Sequence, residues 1–209
     1  ATIWAYSYPE YSIDNGILSL EFDISTGPGS YYPPGADFDI EVEVTFANGD
    51  TVQIPAPDKV EYLDPDNDWQ RVPGDGYTII YYGVDRTAVE EMIETINHRI
   101  ETLETTLGVT NTPDFKAIVF PSVKAATPSF PPVSQTATDQ YLFAGFAQPE
   151  YRLFVQGQMN STTFPHELAH LYPHEAVSNA FVGGLPAWLS EGLARFLETG
   201  DSKQSMDRL

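Results

Sequence analysis

The chain has no cysteine, so no disulfide staples it and no thiolate can ligate a metal or attack a substrate. Positive charge is scarce as well: 10 Lys and Arg stand against 30 Asp and Glu, a formal net charge of −20. A surface of that sign repels nucleic-acid phosphates and anionic lipid, so a nucleic-acid partner is not expected. No apolar run reaches the roughly 18 residues that a membrane-spanning helix needs. Histidine is rare too, 4 in 209 residues, yet three of the four, His166, His170 and His174, follow one another at four-residue spacing. Apolar residues are not lacking; at 42% they suffice for a buried core. The chain opens at Ala1, without Met and without a visible leader. The reading that follows is an extracellular or cell-surface protein whose signal peptide has been removed.

Two segments near the end carry chemistry. The first is Phe164-Pro-His-Glu-Leu-Ala-His170. On a helix His166 and His170 share one face, one turn apart, and two imidazoles so placed can hold a zinc ion. Glu167 lies beside them and is the candidate general base for a water at the metal. Ser161, Thr162 and Thr163 offer N-caps, and Pro165 suits a first helical turn. A third ligand is needed, and three residues compete. His174 would continue the row, but Pro173 intervenes, and three ligands on one straight helix cannot surround an ion. Glu175 is too close in sequence to return from another element. Glu191 lies in the second segment, Leu185-Pro-Ala-Trp-Leu-Ser-Glu-Gly-Leu-Ala-Arg-Phe-Leu-Glu198, after a turn at Gly183 and Gly184. There Pro186 opens a helix in which Trp188, Leu189, Leu193, Phe196 and Leu197 recur at helical spacing and read as a buried face. Glu191 is therefore the preferred ligand, and Gly192 reads as a site of close helix approach.

These two segments resemble the gluzincin zinc metallopeptidases, the group of thermolysin and aminopeptidase N, and most of all the peptidase MA-like proteins. The resemblance implies one zinc ion on His166, His170 and Glu191, with Glu167 as general base in peptide hydrolysis. Upstream and more weakly, Ala144, Gly145, Phe146 and Ala147, then Tyr151 to Val155, resemble the edge strand and hairpin along which that family pairs an extended peptide substrate. The family also places an oxyanion-stabilising Tyr or His beyond the glutamate helix, and no residue here matches it by motif. Tyr141, Tyr151 and Tyr172 are the conceivable substitutes. The polar tail over 201–209 cannot form a cleft wall. The catalytic domain is thus expected to need a further domain or chain, with an apolar patch exposed on the Trp188 helix. The competing reading is an extracellular structural or binding module that keeps a zincin fold with little or no activity.

The rest of the chain sets the expected fold: α+β, with an antiparallel β-sandwich over 1–72 and a metallopeptidase domain over 73–209. Alternating runs at 17–24, 38–46 and 51–54 read as half-buried strands, with hairpin turns at Asn15-Gly16 and Asn48-Gly49-Asp50. Strands are also expected at 77–82 and 115–120. Between them, Thr87 to Leu107 has helical periodicity with Gly108 as its stop. His98 falls on the polar side of that helix and is not a ligand. Residues 121–140, rich in Pro, Ser and Thr, read as a long loop near the cleft. Asp64, Asp66 and Asp68 have the alternate spacing of calcium loops. The sixth position is Trp69 and the twelfth Asp75, so an acidic loop is preferred and a Ca2+ site is the minor reading. Asn160-Ser-Thr162 is a glycosylation sequon.

Overall fold

The computed structural model describes residues 6–25, 30–107, 114–131, 145–160, 163–177 and 186–199. It is a mixed α/β chain with two compact units, Ala1–Tyr32 and Pro33–Leu209. In the first unit, β1 (Glu10–Asp14) and β2 (Ile17–Glu21) form an antiparallel hairpin. Its turn is Asn15-Gly16, with φ of 50° and 80°. Positive φ at both central residues is the turn whose twist matches paired strands, and Asn-Gly is the dipeptide that adopts it most readily.

The second unit begins with two short ladders. β3 (Asp37–Phe38) pairs with β6 (Val60–Glu61), and β4 (Glu41–Thr45) with β5 (Thr51–Pro55). Among the described residues, strands β1 to β6 thus pair only two by two. Lys116 Nζ anchors the β3–β6 ladder to the main sheet, 2.6 Å from both Asp37 Oδ1 and Glu61 Oε1.

The main sheet has five strands in the order β10-β11-β9-β8-β7. They are β7 (Gln70–Pro73), β8 (Tyr77–Tyr81), β9 (Phe115–Val119), β10 (Gly145–Gln148) and β11 (Leu153–Gln156). The central three run parallel, and β7 and β10 are antiparallel edges. The change of texture at 72–76 is therefore a hairpin inside this sheet, and Val72 lies in its edge strand. Pro73 is tolerated there because an edge position needs no ladder donor on its outer side.

Parallel strands covered on both faces read as continuous apolar runs, as Phe115-Lys-Ala-Ile-Val119 nearly does. One face, with Ile79, Tyr81, Ala117, Val119 and Phe154, packs on the helices. These are α1 (Arg86–Leu107), α3 (Thr163–Val177) and α4 (Ala187–Thr199). The other face, with Ile80, Ile118, Leu153 and Val155, packs on Phe120 and on Ala126 of the short α2 (Val123–Ala126). Asp85 caps α1, its Oδ1 accepting from Thr87 N at 2.8 Å. His98 is exposed on α1. No helix among the described residues is long and apolar enough to cross a membrane.

Phe154 joins sheet to site. It is fully buried, edge-on to Phe164 of α3 with ring centroids 4.6 Å apart. Phe154→Ala should cost about 3–5 kcal/mol, the range for truncating a buried aromatic, read as a lower urea midpoint at unchanged slope.

Candidate metal centre

The site is built where α3 passes both α4 and the edge strand β10. The start of α3 is set by Asn160, whose Oδ1 accepts from Thr163 N at 3.3 Å. The cap is thus the sequon asparagine rather than Thr163; Ser161 and Thr162 lie outside the described residues. Phe164, Leu168 and Leu171 face the core and turn His166 and His170 toward α4. On α4 the buried contact is Ala194, with Leu193 and Phe196 half-buried against the core. This corrects two expectations. Trp188 is 74% exposed and Leu189 39%, so the first turn of α4 is not part of the packed face. A Cβ on Gly192 would meet nothing within 4 Å, so the close approach occurs at Ala194 instead. The Leu197 side chain lies outside the described residues.

The packing brings three donors to one point. His166 Nε2 and His170 Nε2 are 3.2 Å apart. Glu191 Oε2 is 3.6 Å from His166 Nε2, and Glu191 Oε1 is 3.5 Å from His170 Nε2. Donors at 2.0–2.1 Å around a tetrahedral centre stand about 3.3 Å from one another. The observed separations match this within a few tenths of an ångström, so the residues fit a zinc ion without rebuilding. Two imidazole nitrogens and one carboxylate also form a donor set that suits zinc and leaves a fourth position open.

Burial, and next the charge of His166, hold the His170 imidazole below its ordinary value, against an upward pull from Glu191. A neutral ring at neutral pH keeps a lone pair for a metal. Ser190 selects the nitrogen: its Oγ is 2.8 Å from His170 Nδ1. With metal on Nε2 the Nδ1 proton donates to Ser190, which fixes ring and tautomer. Sequence reasoning missed Ser190; its place directly before Glu191 was the available clue. Ser190→Ala should weaken zinc binding about 10-fold in a chelator competition, with the fold unchanged.

Glu167 is buried, at 7% exposure, against Gly145 of β10. Of the expected substrate strand, Gly145, Phe146 and Ala147 lie in β10, with Gly145 buried and the other two half-buried; Ala144 lies outside the described residues. β10 ends the sheet, and among the described residues no strand pairs with its outer side.

The other candidates are not gathered here. Tyr151 packs against the apolar cluster on the sheet face away from the helices. Tyr141 and the side chains of Tyr172, His174 and Glu175 lie outside the described residues. Among the described residues His166, His170 and Glu191 are the one group whose ligand atoms converge; Asp64, Asp66 and Asp68 do not. Asp64 is engaged by its own turn, Oδ1 accepting from Asp66 N at 3.0 Å and Oδ2 from Asn67 Nδ2 at 3.0 Å. That supports the acidic-loop reading over calcium.

No protein-family model matches this chain, and no curated protein matches it.

Proposed function

We propose that the chain is a zinc-dependent peptidase of gluzincin type, acting on a peptide or protein substrate outside the cell or at its surface. The observation that carries the reading is the convergence of His166, His170 and Glu191 from two helices, with Glu167, next to His166 in the chain, buried. The proposed fold is a gluzincin-like domain whose sheet begins at β7, preceded by antiparallel two-stranded ladders.

His166, His170 and Glu191 would hold the ion. When bound, zinc supplies Lewis acidity, polarising the scissile carbonyl and lowering the pKa of a water toward ~7. Glu167 takes a proton from the attacking water and passes it to the leaving amine. Its burial on β10 keeps the carboxylate fixed and largely out of bulk water. The outer side of β10 offers backbone groups to an extended peptide, which adds as a further strand. Ser190 keeps His170 turned to the ion. The exposed Trp188 and Leu189 are where a further domain or chain would cover α4.

One observation bears on the second reading, a zinc-holding module without turnover: Tyr151, one of the conceivable oxyanion residues, packs on the sheet face away from the helices. Cleavage of quenched-fluorescent peptide libraries by zinc-loaded protein decides between them. Chelator-sensitive cleavage supports the peptidase, and no cleavage at stoichiometric zinc supports the module.

A further inference from the structure

Gly145 does not have the positive φ that would demand glycine, unlike Gly16 or Gly49. Its side of β10 faces α3, and what it meets there is Glu167. A Cβ at position 145 would stand 2.8 Å from Glu167 Cγ, 3.0 Å from Oε1 and 3.1 Å from Cδ. Those separations are shorter than packed carbon and oxygen atoms adopt, and they involve the stem and the carboxyl group together. The carboxylate has no easy retreat, because Glu167 is held by the fixed backbone of α3 and is buried. Gln156, the other buried polar residue among those described, is the cross-strand partner of Gly145. Opposite residues in an antiparallel pair share a sheet face, so this end of β10–β11 is a polar floor beneath the helix.

We propose that Gly145 is a positioning residue. By lacking a side chain it leaves the slot that Glu167 fills, and any larger residue displaces the carboxylate from its buried place against β10. The steric part stands on geometry alone; the effect on turnover rests on the peptidase reading. This role is separate from pairing with a substrate strand, which uses the backbone of β10 and tolerates other side chains.

The test is a double-mutant cycle. Gly145→Ala is made in the parent and in Glu167→Ala, and thermal unfolding of the metal-free proteins is compared. In the parent the melting temperature should fall by about 2–4 °C or more, the size expected for a modest overpacking strain in a domain of this length. In Glu167→Ala the same change should lower it by less than about 1 °C, because the clashing atoms are gone. The general effect of replacing glycine on the unfolded chain is common to both and cancels. Zinc affinity of Gly145→Ala, read by chelator competition, should stay within about 3-fold of the parent. Its kcat should fall about 10-fold or more at little-changed KM, since small misplacement of a reacting group costs up to about 100-fold. Equal melting losses in both backgrounds would overturn the proposal, and so would parental kcat in Gly145→Ala. If the parent itself cleaves nothing at full zinc occupancy, the peptidase reading fails, and the melting cycle still decides the steric claim.

Discussion

Glu167→Gln is expected to lower kcat about 100-fold or more while zinc content stays at the parental value. The amide has nearly the shape of the carboxylate and fits the same slot on Gly145, so packing is preserved. What is lost is the oxygen lone pair able to take a proton at neutral pH. On the proposed reading peptide would bind along β10 without using this group, so KM should change little, and the loss should appear equally in kcat and kcat/KM. Matched zinc content with unaltered turnover would remove Glu167 from the chemistry.

Loss of a metal ligand should have the other large effect. His170→Ala removes one donor and the partner of Ser190, and leaves His166 and Glu191 as an incomplete pair. Metal held by two ligands should exchange freely, so zinc is expected to be lost on dialysis and cleavage to fall below detection. The parent treated with a chelator should behave alike and regain activity with zinc. Because α3 and α4 bring the donor cluster together as well as packing through Ala194, a bound metal would also tie the two helices together. Zinc at 100 times its dissociation constant should add about 2.7 kcal/mol to the parent's stability and little to that of His170→Ala. Urea unfolding with and without zinc measures this directly.

The centre was legible before the fold because its determinants are local. His166 and His170 need only a helix to be juxtaposed, and Glu191 needed only a second helix within short reach. The hairpin turns were legible for the same reason, since Asn15-Gly16 and Gly49 carry their φ preferences with them. The long helix α1 declared itself by the spacing of Val89, Met92 and Ile96, all buried. What escaped depends on neighbours far along the chain. That Gly145 is shaped by Glu167 follows from a strand meeting a helix, which no local pattern encodes. Trp188 and Leu189 have helical spacing, but which stripe of an amphipathic helix is covered is decided by the partner, here the side carrying Ala194. Strand β7 was missed because Gln70-Arg-Val-Pro73 has little apolar alternation and ends in proline, and its pairing with β8 makes the strand. The asparagine cap of α3 was passed over because Ser161, Thr162 and Thr163, equally good cap formers, lie closer to the motif.

The central claim is that two imidazoles and Glu191 hold one zinc ion beside Glu167. X-ray absorption at the zinc edge of protein purified without chelator tests it most directly. The account predicts one zinc per chain, with two imidazole nitrogens at about 2.0–2.1 Å and oxygen completing the shell. In Glu191→Ala the oxygen shell should change and the affinity collapse. Absence of stoichiometric zinc, or a coordination shell and affinity unaltered by Glu191→Ala, would contradict it.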